Sequence, residues 1–162
     1  MSARTPILCA SRLTPEFEQS SSCSVYLLDT DVISEMRKGE KANAGAKTFF
    51  QSAIRESSGL FLSVITVGEL RQGVERIRHR GDKPHAKRLE AWLARIQEDY
   101  ADAIIAFDEQ MADVWGRLRV PSPENPLDKQ IAATALIHGL TVVTRNCAHF
   151  EPTGVRVINP FT

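Results

Sequence analysis

Cysteine is scarce in this chain: Cys9, Cys23 and Cys147 are the only three in 162 residues, and no two form a Cys-x-x-Cys pair. That excludes a disulfide framework and a four-cysteine zinc site, and it suits a reducing cytoplasm. Aromatic residues make up 7%, too few for a long surface on which nucleic-acid bases could stack. Long apolar runs are also missing. The longest span about five to seven residues, whereas a membrane-crossing helix needs ~20. Nor is there any net charge, since 20 basic residues balance 20 acidic ones. Attraction to a polyanion would therefore depend on a local basic surface.

What remains is ordinary for a globular protein: 43% hydrophobic and 25% charged residues, enough to bury a core, in a length that suits one domain of roughly 100–200 residues. Residues 1–24 stand apart. They are rich in Ser, Thr and Pro, have no apolar periodicity and end in QSSSCS, which reads as a disordered N-terminal extension. The regular pattern begins abruptly at Val25. A bacterial GUG codon is read as Met at initiation, so Val25 is a candidate natural start, and strand one is expected to need nothing before it.

From there short apolar strands alternate with helices. The expected strands are VYLLD from Val25, LFLSVI (60–65), AIIAF (103–107), TVVT (141–144) and an edge strand VRVIN (155–159). The expected helices start near residue 30, then cover about 43–56, 66–79, 85–100, 108–119 and 127–138, the last closed by Gly139. Alternation of this kind implies an α/β fold with a parallel sheet covered on both faces, and ligands then bind beyond the carboxyl ends of the strands.

Acidic residues recur at those ends. LLDTDVISE places Asp29 and Asp31 directly after strand one, Glu69 follows strand two, Asp108 follows strand three, and Asp128 opens a later helix. Each has a structural alternative. Asp29, Asp31 and Asp108 can cap helices. Thr66-Val-Gly-Glu69 fits a capping box. Asn125-Pro126-Leu127-Asp128 fits a cap, a first-turn proline and a favourable first-turn acid. Their joint placement is more informative, because separate strand-to-helix turns would deliver carboxylates to one sheet edge, and clustered carboxylates suit Mg²⁺ or Mn²⁺.

The order of these elements resembles the PIN domain, and within it the VapC-type ribonuclease toxins of type II toxin–antitoxin pairs, over about residues 25–160. LLDTDVISE, SVITVGELRQG, PLDKQIAATALIHGL and TVVTRN are similar to the family's four motifs in order. The resemblance implies a three-layer α/β/α sandwich with a central parallel sheet over residues 25–162. It also implies metal-dependent endoribonuclease activity with Mg²⁺ or Mn²⁺ as cofactor, a cognate antitoxin partner, a homodimer and a cytoplasmic location. Asp29, Glu69 and Asp128 would be the catalytic, metal-binding acids, supported by Thr144, Asn146 and, less directly, Asp31. Arg71, Lys129 and Arg145 are expected to meet RNA phosphates, or else to be ordinary solvated cations. With few aromatics, a structured RNA read by shape is the expected substrate.

One departure from the family pattern stands at TRNCAHF, where His149 occupies the place of a usual acid before Phe. A neutral imidazole binds Mn²⁺ better than Mg²⁺, which puts a second metal site in doubt. It also keeps open a PIN-like domain that binds RNA or protein without cutting. A haloacid-dehalogenase-type phosphatase, with its Asp-x-Asp-x-Thr/Val motif, is a weaker alternative. This chain has Ile33 at the last position of that motif, and its GDKP (81–84) lies between helices.

Overall fold

The computed structural model describes residues 24–161. The expectations for residues 1–23 lie outside that range. Five parallel strands form one sheet in the order β3-β2-β1-β4-β5: β1 Val25–Leu28, β2 Gly59–Ser63, β3 Ile104–Ile105, β4 Thr141–Val143 and β5 Val157–Ile158. The connecting helices are α1 Thr30–Met36, α2 Ala44–Arg55, α3 Val64–His79, α4 Lys83–Asp99, α5 Glu109–Leu118, α6 Pro126–His138 and α7 Cys147–Phe150. Helices cover the sheet in an α/β/α sandwich, as the alternating pattern implied.

The core lies on the three inner strands. Leu27 and Leu28 of β1, Val142 and Val143 of β4, and Leu62 of β2 are wholly buried, backed by Ile131 and Ala132 of α6 and by Phe150 of α7. Strands buried on both faces need continuous apolar runs rather than alternation, which is why VYLL and TVV were readable. No described helix is long and apolar enough to cross a membrane.

The chain adds strands outward on one side of β1 (β2, then β3), then crosses back to place β4 on its other side. Leu28 is registered against Val143, so the next residues, Asp29 and Thr144, leave the sheet together at the point where the winding reverses. A parallel sheet opens a crevice at such a point, because successive connections depart to opposite sides.

Several boundaries differ from expectation. The second strand ends at Ser63, not at residue 65, and α3 begins at once at Val64. The apolar run simply continues across the strand–helix junction, so hydrophobicity alone gave no stop signal. The third strand is confined to Ile104–Ile105. In addition, the amide of Gly59 donates to the carbonyl of Ser24 at 3.0 Å. The pairing of β1 thus reaches one residue before Val25.

Candidate active site

Asp29 ends β1 and is the N-cap of α1, its Oδ1 accepting the Thr30 amide at 2.7 Å. The capping reading is therefore true, but it uses only one oxygen. Oδ2 accepts the Thr144 hydroxyl from the end of β4 at 2.6 Å, and the amide of Asp29 donates to the carbonyl of Val143 at 3.0 Å. The Thr144 hydroxyl in turn accepts the Asn146 amide at 3.0 Å, so Asn146 enters the site through its backbone. Asp31, one residue into α1, accepts the Arg145 amide on Oδ2 at 2.9 Å. Its Oδ1 is buried with no hydrogen-bond partner among the described residues.

Glu69 does not belong to a capping box. Ser63 is the N-cap of α3, accepting the Ile65 amide at 3.2 Å. Thr66 lies inside the first turn, fully buried, its hydroxyl unpaired. That places Glu69 in the second turn, too far along to reach the helix start. Its Oε2 instead accepts the Thr30 hydroxyl at 2.5 Å, linking α3 to α1. Thr30, lying between the two acids of the first motif, is a site residue that the motifs do not single out. Its only signal in the sequence is its position.

Asp128 occupies the first turn of α6. Asn125 holds the cap position in a left-handed conformation (φ 50°) but makes no side-chain capping bond, and Pro126 follows as expected. The Oδ2 of Asp128 lies 2.7 Å from Nδ1 of His149, which the single turn of α7 brings back over α6. His149 is thus attached to the acid group through Asp128.

The electrostatics bind these residues into one site. Burial pushes the Asp29 carboxyl up to about 7; the charges of Asp31 and Asp128 push the same way, against the hydrogen bonds from Thr144 and Thr30. Asp31 is raised by burial, opposed by the Arg145 amide and charge, with Asp128 adding repulsion. Glu69 is likewise raised by burial, opposed by the Thr30 hydroxyl, with Asp128 and Asp31 adding to the rise. The charge of Asp128 acts on Asp29, Asp31 and Glu69 alike, and that of Asp31 on Asp29 and Glu69, so these carboxylates lie around a common space. Asp29 is 4% exposed, and such a concentration of negative charge is costly unless a proton or cation compensates it.

Among the described residues, no three His, Cys, Asp or Glu side chains stand in a ready ligand array. The donor chemistry nevertheless fits a hard divalent cation. It comprises carboxylate oxygens of like charge and one buried carboxylate oxygen, Oδ1 of Asp31, that no group among the described residues satisfies.

The expected phosphate-binding cations fare differently. Lys129 is buried, 4% exposed, and its ammonium donates to the carbonyl of Ser122. Arg71 is held by Glu90 at 2.8 Å, with Glu75 at 3.8 Å. The first is taken up by a backbone carbonyl and the second by two carboxylates, because adjacency in sequence to a site acid says nothing about which helix face a side chain takes. Arg145 keeps a half-exposed guanidinium, 3.3 Å from Glu35 and stacked 4.0 Å over the Phe161 ring. Glu35, likewise without a signal in the sequence, is 5% exposed. It accepts from Lys38 at 2.7 Å and from the Asn43 amide at 2.9 Å, bracing the loop after α1.

A family model described as the PIN domain matches residues 26–151. The chain belongs to the PIN domain family. This PIN domain is 36% identical over 144 residues to the protein named Toxin FitB of Neisseria gonorrhoeae, covering 85% of this chain and 99% of that one. It is 33% identical over 146 residues to VapC ribonuclease Y4jK of Sinorhizobium fredii, covering 85% of this chain and 98% of that one. Among solved structures, the crystal structure of FitAcB from N. gonorrhoeae matches at a TM-score of 0.72 and 34% identity, over 84% of this chain and 98% of that one.

Proposed function

We propose that this PIN domain is a metal-dependent endoribonuclease and the toxin of a type II toxin–antitoxin pair. The observation that carries this is the approach of Asp29 and Asp31 from the β1–α1 turn, Glu69 from α3 and Asp128 from the start of α6 to the crevice at the reversal point of a parallel sheet. The relatedness to proteins named as a toxin and as a VapC ribonuclease supplies the substrate class. A toxin–antitoxin complex among the related structures, VapBC from Salmonella typhimurium bound to DNA, at 25% identity and a TM-score of 0.64, supports a protein partner. A homodimer in the cytoplasm completes the reading.

Asp29, Glu69 and Asp128 would hold Mg²⁺ or Mn²⁺, with His149 beside Asp128 able to add a nitrogen. Such an ion would supply Lewis-acid activation of water and neutralise charge developing on the phosphate. The protein's own groups do the rest. Thr144 and Thr30 fix the rotamers of Asp29 and Glu69 by hydrogen bonds, so that little reorganisation is needed when charge moves. Asp31, its Oδ1 unpaired, can take the proton lost by the attacking water. A P–O bond would form to that water oxygen as the bond to the departing ribose oxygen breaks, that oxygen taking up a proton from solvent water. Arg145 presents its half-exposed guanidinium beside Asp31, where it can meet a flanking phosphate.

Incubation of purified full-length protein with total RNA in Mg²⁺, Mn²⁺ or EDTA tests the reading. Cleavage with either ion that stops on chelation is expected, and addition of the cognate antitoxin should also silence it. His149 in the place of an acid, together with the spaced carboxylates, favours one rival: a domain that binds RNA or protein without cutting. RNA left intact under both metal conditions would select that rival.

A further inference from the structure

Helix α3 carries two kinds of arginine. Arg71 and Arg78 lie on the edge facing α4, where Glu90 binds both at 2.8 Å and Glu75 adds a bond to Arg78. Their charge is neutralised inside the protein. Arg76 and Arg80 take no part in any ion pair among the described residues, and both are exposed. They follow Glu69 by seven and eleven residues, the spacing that keeps side chains on one helix face. They therefore lie about 10 and 16 Å further along that face from the candidate active site. The charge of Arg76 is felt at Glu69, whose carboxyl it pulls down, as the Thr30 hydrogen bond also does, against burial and the charges of Asp128 and Asp31.

The same stretch of α3 presents a shallow, open surface formed, among the described residues, by Gln72, Glu75, Arg76, His79 and Arg80. Glu75, the acid among these five, is already bonded to Arg78. Gly73 falls between Glu69 and Arg76 on this face, and a side chain built there would meet nothing within 4 Å. A mid-helix glycine costs about 1 kcal/mol relative to alanine, and here no packing demand accounts for it. Its effect is to leave the helix surface low between the acid and the arginines.

We infer that this face of α3 is the track for the substrate's phosphate backbone, with Arg76 and Arg80 binding successive phosphates on one side of the scissile bond. The inference rests on the ribonuclease reading and goes beyond it. It moves phosphate binding away from Arg71 and Lys129, which the fold consumes, to two cations that the motifs did not single out. It also explains how a chain without net charge can hold a polyanion: the cations of one helix are sorted, one edge being spent on structure and the other left uncompensated.

The test uses the full chain carrying Asp29→Asn, so that RNA survives, and a fluorescein-labelled twelve-nucleotide oligouridylate in Mg²⁺. Affinity is measured by anisotropy across a salt series. Backbone binding depends on salt and not on sequence, with a slope of about −0.7 in log–log form per phosphate neutralised on a single strand. Adding Arg76→Ala and Arg80→Ala together should reduce that slope by about 1.4, and replacing both with Lys should restore most of it. Arg78→Ala, on the paired edge, should leave the slope alone. A slope unchanged by the double substitution would overturn the inference. So would conversion of a dimer to a monomer by that substitution in size-exclusion chromatography with light scattering, because the edge would then be a contact between copies. Failure of the ribonuclease reading shows separately, as intact RNA after incubation of the unsubstituted chain with Mg²⁺ or Mn²⁺.

Discussion

Asp29 and Asp108 look alike in sequence. Both follow a short apolar strand, and both are N-caps of the next helix, Asp29 through the Thr30 amide and Asp108 through the Met111 amide at 3.0 Å. Yet Asp108 is exposed, with its side-chain hydrogen bond made to its own helix and only its charge reaching His138 of α6, whereas Asp29 is buried, bonded across to Thr144, and surrounded by the charges of Asp31 and Asp128. The difference lies in the strand each one ends. β1 is central and sits at the reversal point, so three other connections converge on its end; β3 is the sheet edge. A cap becomes a candidate ligand when the topology brings other acids to face its second oxygen.

The sharpest way to break this comparison is to neutralise both residues. Asp29→Asn should lower metal-dependent RNA cleavage by roughly 10³-fold or more, the loss of several kcal/mol of transition-state stabilisation. Asp108→Asn should leave cleavage unchanged. Equal activity in the two variants, followed on one labelled RNA, would end the assignment of Asp29.

A second effect concerns stability without metal. The native carboxyl of Asp29 is raised from 3.8 to about 7, so between those values the folded state binds a proton that the unfolded state releases. Its stabilising contribution is complete below about pH 4 and disappears as the pH climbs through 7. The whole difference is worth at most ~4 kcal/mol, and the raised carboxyls of Asp31 and Glu69 act in the same direction. Urea midpoints in EDTA should therefore fall between pH 5 and pH 8, and Asp29→Asn should flatten that fall. A midpoint that rises over this interval would contradict the buried-charge account.

Caps and ligands should also separate at α3. Ser63→Ala removes a true N-cap and should cost about 0.5–2 kcal/mol in chemical denaturation. Glu69→Gln should lose activity while keeping the melting temperature within a few degrees. A Glu69→Gln variant that unfolds as readily as Ser63→Ala would restore the capping-box reading.

The smallest effect is expected at His149. Replacing it with Asp puts a hard oxygen beside Asp128 in place of a ring nitrogen, so Mg²⁺-supported activity should gain a few-fold relative to Mn²⁺. Calorimetric titration with each ion gives a second readout. An unchanged Mg²⁺-to-Mn²⁺ ratio in both measurements would mean that the imidazole serves only as a partner to Asp128.

Much of this protein is legible in its sequence. Buried parallel strands need unbroken apolar runs, so VYLL and TVV announce β1 and β4, and Gly139, left-handed at φ 64°, closes α6 as its position suggests. The acids at strand ends are equally visible, because a βα turn puts its first polar residue at the carboxyl edge. Boundaries without a change in hydropathy are not, as at Ser63–Val64, where the strand ends and the helix begins inside one apolar run. Side-chain orientation is equally hidden. Thr30, Glu35, Lys129, Arg71 and Arg76 differ in function according to which neighbour each faces across the fold. Sequence by itself determined which residues leave the sheet at its carboxyl edge, since that follows from local periodicity. Tertiary structure alone decided which of them meet and which cations stay uncompensated, because charge–charge and hydrogen-bond energies depend on distances between segments as many as 115 residues apart, the separation of Asp29 from Thr144.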